Sequence, residues 1–402
     1  MPNTIQGGSW DYLPVLNVCL KLLLTVGIGA AAGRFGTFDA EVFVPQAVRF
    51  VFDIALPLLV ARGLGVGIDF YDDSFLWTFI AAFLILRAIA LILAVGLVFW
   101  KETADASLEE QSRCGLVAVH WLSMTWISTV ILGIPIAEAV FDSPQKGQRY
   151  GILAAVSSFI FQLPLQLFLL ECHSTLQKAQ HRGVADEERA ETSEADSISL
   201  PVSKATALVP DGSVEPEVTT HLWRNKLVWK NVNRRLLHNH VLWGIVVGFV
   251  LTVTTIGPKY LDSNSEDFVP GLSWVSDICT FIGNCVSPLS LFTMGVWMNQ
   301  QRTKLFQFGW CLALFHMFSK LLVVPLTMVG LAKALDLNDE AGRAAVLIAT
   351  LPISMASFSL AAHYNVGENV LAVNEALGTL LMLPTVLIWN FVMDKLGLFP
   401  SP

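Results

Sequence analysis

The chain has 402 residues, 54% apolar and 14% charged, with a mean hydropathy of +0.58 and a formal net charge of −8. Soluble domains carry about a quarter charged residues, so a single large water-soluble globule is excluded. At 28 Gly, 18 Pro and 6 Cys, so are collagen-like, disordered and disulfide-scaffold classes.

A hydrocarbon core of about 30 Å needs about 20 apolar residues per helix. Ten Leu/Val/Ile/Phe-rich runs of that kind follow one another, near 13–33, 43–68, 75–100, 114–141, 149–172, 236–257, 273–299, 305–332, 343–363 and 369–394. None alternates as barrel strands do. The expected fold is an all-α polytopic membrane protein. No basic residue precedes the first run, which is too long for a signal-peptide core and reads as a span. Its GIGAAAG, Gly27 to Gly33, reads as a helix-packing stripe, because no βαβ unit surrounds it to make a nucleotide site.

The second run holds FDIALPLLVARGLGVG around Pro57, with Arg49 and Asp53 four apart on one face and able to pair. The third carries a lone cation, Arg87. The fourth reads WISTVILGIPIAEAVF, with Ser128, Thr129, Gly133, Pro135 and Glu138. Between the fifth and sixth runs, residues 173–235 form an acidic, Ser/Thr/Pro-rich segment expected to be disordered at its centre. Its end, HLWRNKLVWKNVNRR, fits an interfacial helix or a solvated linker end equally well. The Ser-rich stretch is compatible with a kinase as partner.

In the second half, GNCVSPLSLFTMGVWM surrounds Pro288 in the seventh run, Lys320 lies in the eighth, and the ninth reads LIATLPISMASFSLAAHYN, with Pro352, Ser354 and Ser357. The tenth places Glu375 beside Asn374. Asp53, Glu138 and Glu375 are candidate coupling-ion sites, and Arg87 and Lys320 either balance an anion or tie helices together. Lys21, Glu171 and Lys395 lie near run ends, where snorkelling is expected. His120, His316 and His363 read as isolated histidines, and the six cysteines as small buried hydrophobes without metal or redox spacing.

Lys and Arg set orientation. Fourteen lie on the side of the 173–235 loop against six on the other, which makes that loop cytoplasmic and both termini outward or lumenal. The membrane is the plasma membrane or the endoplasmic reticulum. Five runs, a polar linker and five more suggest two repeats, 1–172 and 236–402; an odd number makes them inverted, as in transporters. Pro57 then matches Pro288, Arg87 matches Lys320, and the fourth run matches the ninth. Proline lacks the N–H that a helix needs, so Pro135 and Pro352 are expected to break their helices. The downstream halves would then present N-termini to an anion, with Ser128, Thr129, Ser354 and Ser357 adding hydroxyls.

STVILGIPIAEAVF, LQLFLLE, LLHNHVLWGIVVGF, PLSLFTMGVWM and LPISMASFSLAAHYNV, in this order, resemble the auxin efflux carrier superfamily. That superfamily includes plant PIN and PIN-LIKES carriers and bacterial organic-acid permeases. The resemblance implies ten helices in two inverted five-helix repeats, crossing broken helices 4 and 9, and elevator-type export of small organic anions; it also suggests a homodimer. Gly133, Pro135 and Pro352 match the family's crossovers. Ser128 stands where the family usually has Asn, Ile127 and Ser357 where it has Pro, and Asn239 maps onto the turn opening the sixth helix, with His240 in place of Pro. These departures bear on auxin as substrate more than on the fold.

No nucleophile–base pair, phosphate loop or metal cluster is apparent, so neither an enzyme nor a cofactor is expected. The leading expectation is a carrier or uniporter for small organic anions such as auxin-like carboxylates. Its rivals are a membrane sensor or scaffold signalling through the central loop, and a sodium- or proton-coupled symporter. The partners are a small organic anion and the lipid bilayer, with no footprint for nucleic acid.

Overall fold

The computed structural model describes residues 12–68, 75–100, 112–141, 143–178, 226–263, 265–301 and 310–400. The disorder expected in the central segment falls at 179–225, outside these residues. Among the described residues every element is helical, apart from one isolated antiparallel bridge.

The first half contains α1 (Tyr12–Arg34), α2 (Ala40–Gly65), α3 (Phe75–Trp100), α4 (Arg113–Thr125), α5 (Thr129–Phe141) and α6 (Gln145–Lys178). Next comes α7 (Lys226–Leu237), which turns by 62° into α8 (His240–Val253). The second half continues with α9 (Pro270–Gln300), α10 (Leu312–Ala334), α11 (Asp339–Ala349), α12 (Met355–His363) and α13 (Glu368–Lys395). Seven of these are long and apolar enough to cross a membrane, or eight with the bent α7–α8 pair. The fourth and ninth runs instead fold as two half-helices each, α4/α5 and α11/α12.

Proline leaves a recurrent mark. A π-turn covers Val51–Ala55, Thr129–Gly133, Ser158–Gln162 and Ser319–Val323, and in each case a proline follows two residues later: Pro57, Pro135, Pro164 and Pro325. The proline ring clashes with the carbonyl four residues back, so the helix widens there. Two of the carbonyls so freed find donors on other helices: Ile131 accepts from the Ser287 hydroxyl, and Leu321 accepts from Trp389 Nε1 at 2.9 Å.

The helices pack in a layer and a bundle. α1 packs on α9 and α2 on α8. The glycine stripe of α1 works as expected: Gly29 lies against the Phe292 backbone, Gly33 against Val296, and Gly295 against Val26 and Ala30. Gly244 and Gly248 play the same part in α8, against Pro57 and Ala61. Close backbone approach is how apolar helices gain contact where water provides no drive. In the bundle, α3 packs on α4 and α6, and α5 on α6; in the second half α10 packs on α11 and α13, and α12 on α13. Each of these packings in one half has its counterpart in the other.

Candidate functional site at the crossing of the broken helices

α4 starts on a Ser112 cap and ends at Thr125; α11 starts on an Asn338 cap and ends at Ala349. Each leaves a short extended stretch before its second half. There the two chains meet: Ser128 N donates to the Pro352 carbonyl at 3.0 Å, and Ser354 N donates to the Trp126 carbonyl at 2.9 Å. Ile127 and Ile353 thereby form the isolated antiparallel bridge. Buried backbone groups need partners, and each break supplies them to the other.

This places the first break away from the proline expected to cause it. Pro352 lies within the second break, but Pro135 lies seven residues past Ser128. It only widens α5 into its π-turn. The first break is a tertiary feature, held by the second.

A small cleft of about 30 Å³ opens at the crossing, lined by Phe52, Ser128, Thr129, Ser158, Phe159 and Ser354 among others. It has room for about two waters, so the site is closed around anything larger. The first turns of α5 and α12 face it, and helix N-termini carry partial positive charge.

Arg87 stands directly behind the cleft and is fully buried. Its five N–H groups reach Gln162 Oε1 (3.0 Å), the Phe83 and Ala154 carbonyls (3.2 and 3.3 Å), Ser157 Oγ (2.6 Å) and Ser158 Oγ (2.5 Å). All five acceptors are neutral. Gln162 Nε2 in turn donates to Thr125 Oγ1 at 2.8 Å, and Trp121 Nε1 donates to the Arg87 carbonyl at 2.9 Å. The last residue of α4 and one wall of the cleft, Ser158, are thus tied to one guanidinium.

The other expected site residues divide. Gly133 packs at the crossing, against Leu351 and Ile348, and donates its N–H to the Ser128 carbonyl at 3.1 Å. Ser357 is buried but bonds the Ser354 carbonyl within its own turn (2.6 Å). Pro135 and Asn239 are not in the cleft wall; Asn239 caps α8 through Val241 N (3.0 Å) and Leu242 N (3.2 Å) at the α7–α8 corner. Asp53 pairs with His240 (3.2 Å) and not with Arg49, because α8 packs against α2 and brings the imidazole there. Glu138 is half-buried within electrostatic reach of Lys21. Lys320 is buried, and among the described residues its Nζ has no hydrogen bond; the same holds for Oε2 of buried Glu375 and both side-chain polar atoms of Asn374.

Two expectations are corrected by packing. Glu171 does not snorkel: it is buried against Arg235 Nε (2.8 Å), Tyr364 Oη (2.7 Å) and Asn231 Nδ2 (3.3 Å). His120 and His316 are not isolated but meet Nδ1 to Nε2 at 3.0 Å. Of the two readings left open for the end of the linker, the helical one holds from Lys226, as α7. Ser158, Gln162 and Phe52 were not singled out from sequence. The polar face that Ser158, Gln162 and Gln166 make at helical spacing, in an otherwise apolar run, was the available signal.

The family model described as membrane transport protein matches residues 14–390. The chain belongs to that family. Auxin efflux carrier component 8 of Arabidopsis thaliana is 22% identical over 96% of this chain and 99% of its own length. Component 5 of the same plant is 23% identical over 67% and 68%. A 105-residue stretch is 30% identical to component 3, covering 26% of this chain and 16% of that protein. The family is one of integral membrane transporters, and the all-helical architecture above agrees with it.

Proposed function

We propose that the chain is a secondary carrier of small organic anions that binds its substrate at the Ser128–Ser354 crossing. One observation carries this reading: the guanidinium of Arg87, buried with neutral acceptors alone, stands one serine behind a cleft faced by two helix N-termini. A buried cation without a carboxylate favours an anion beside it. Serine hydroxyls and first-turn N–H groups then satisfy the carboxylate, and the neighbouring Phe52 and Phe159 rings suit an aromatic body.

The counterpart contacts of the two halves support two inverted repeats, 1–172 and 236–402, with ten spans, and the Lys/Arg balance of the loops supports a cytoplasmic central loop. The glycine-packed layer serves as the frame, and the bundle carries the site past it in an elevator movement. The cleft is closed in this state and opens for an anion larger than water. The names of the relatives make indole-3-acetate the first probe.

Uptake of labelled indole-3-acetate and malonate into proteoliposomes tests the reading. Ser128→Val with Ser354→Val removes two hydroxyls from a charged ligand, at about 1.5–3 kcal/mol each. Uptake is expected to fall more than about tenfold while the unfolding temperature holds. Unchanged uptake in the double variant places the site elsewhere; no anion flux in the parent protein overturns the function.

A further inference from the structure

The buried histidines have no role at the cleft. His120 of α4 and His316 of α10 are 4% and 0% exposed and 196 residues apart. Their rings lie 4.9 Å apart, and the 3.0 Å contact lets one imidazole donate to the other. His316 Nδ1 and Lys320 Nζ, one turn further along α10, are left without hydrogen bonds among the described residues. Unsatisfied buried polar atoms are rare and call for an explanation, and ionisable groups within a membrane often mark ion or proton pathways.

The surroundings narrow the choice. α10 packs against α3, α4, α11 and α13. The buried ionisable groups on these neighbours are taken in turn. Arg87 of α3 lies within electrostatic reach of Lys320 and is held by five neutral acceptors. α4 brings His120 itself. Arg343 of α11 is engaged by Asn390 (2.5 Å) and Asp394 (2.7 Å). Glu375 of α13 makes no ion pair with the cluster. Among the described residues, the His120–His316 pair and Lys320, one turn along the same helix, thus make no ion pair with a carboxylate, and Lys320 lies within electrostatic reach of Arg87. Like charges placed in contact disfavour one another, and interacting groups titrate as a unit.

We propose that His120, His316 and Lys320 form one proton-binding site that couples proton movement to the anion carried at the crossing. The link is electrostatic and short. Lys320 lies within electrostatic reach of Arg87, and Arg87 holds Ser158 in the cleft wall, so an anion in the cleft favours the proton and the proton favours the anion. Such coupling is reciprocal. The carrier half of this statement rests on the proposed function; the proton site does not.

Two measurements separate them. Histidine C2 hydrogen–deuterium exchange on the purified full chain, followed by mass spectrometry from about pH 5 to 9 around the histidine range, reads each imidazole without any substrate. His120 and His316 are expected to titrate together, and Lys320→Met to move both midpoints by about tenfold in proton affinity. Lys320→Arg keeps the charge fixed and is expected to move them the opposite way. Independent titration, or midpoints indifferent to both variants, overturns the proton site. In pyranine-loaded proteoliposomes, with protein-free vesicles subtracted, an indole-3-acetate gradient is expected to drive proton movement that His316→Gln abolishes while labelled counterflow persists. Counterflow with equal proton movement in parent and variant overturns the coupling; absent counterflow overturns the carrier reading and leaves the titration result to decide the proton site.

Discussion

Among the described residues, the layer of α1, α2, α8 and α9 buries Thr252, Ser276, Ser290 and Thr293 but no charged side chain, whereas the bundle around the crossing buries Arg87, Glu171, Lys320, Arg343 and Glu375 together with His120, His173 and His316. The layer holds together through glycine against backbone, as at Gly29, Gly244 and Gly295. The bundle holds together through directional bonds, five of them on one guanidinium. A small-residue seam tolerates sliding because its contacts are short-ranged and undirected. A satisfied polar network fixes one arrangement. Direct side-chain ties between the two regions include Arg62 Nη1 to Gln148 Oε1 at 3.1 Å, Thr379 Oγ1 to Met294 Sδ at 3.8 Å, and the Ser287 hydroxyl to the Ile131 carbonyl. A rigid body against a smooth frame is the arrangement on which the proposed elevator movement rests.

The largest effect expected on this contrast is at Arg87. Arg87→Met leaves Gln162 Oε1 and the serine cluster without their donor and should lower stability by about 3–5 kcal/mol. Arg87→Lys keeps the charge but cannot span five acceptors with three donors. It should recover part of the stability and less of the anion uptake. Thermal unfolding alongside proteoliposome uptake separates the two roles; equal stability of Arg87→Met and the parent would dissolve the network as a structural unit. The frame is probed by Gly295→Leu, whose side chain has no space between α9 and α1. Overpacking of that kind costs about 1–3 kcal/mol. Cross-linking of paired cysteines across the α1–α9 seam is expected to fall while bonds within the bundle persist, and a seam that cross-links as before breaks the comparison.

Much of this was legible in the sequence. Hydropathy and length located the seven helices long and apolar enough to cross a membrane and the bent α7–α8 pair, and GIGAAAG announced a close seam. Pro352 marked its break because a missing N–H acts locally. Pro135 misled: the break it was expected to cause is created seven residues upstream by bonds to Pro352 and Ser354, and no local pattern reports a partner more than 220 residues away. Arg87 stood out as an anomaly, but its five acceptors lie on its own turn and on the fifth span. The His120–His316 contact joins different halves, so each residue alone looked like a solitary polar side chain. Asn239 signalled a turn correctly, and the turn proved to be a helix cap outside the cleft wall.

The smallest effect is expected where α7 bridges the two regions. α7 leads through its corner into α8 of the frame, yet its own contacts are with the bundle. Glu171 at the end of α6 holds Arg235 and Asn231 of α7 and Tyr364 beyond α12; the Arg235 guanidinium lies 4.8 Å over the Tyr364 ring. Val228 and Val232 are buried, and Trp229 meets Phe168 at 5.0 Å. Glu171→Gln preserves the shape and removes the charge. A charge-assisted bond contributes about 1.5–3 kcal/mol when buried, but the Arg235 side chain is 38% exposed and solvent screens it, which leaves about 1 kcal/mol. Amide exchange over 226–237 should therefore accelerate about fivefold, with the core of α6 unchanged. Tyr364→Phe should give a smaller acceleration, because it leaves the ion pair in place. If exchange in α7 is the same in Glu171→Gln as in the parent, the two valines and Trp229 alone hold the helix. The frame would then be joined to the bundle by apolar contact at this end too, and the contrast between the regions would stop at the edge of the bundle.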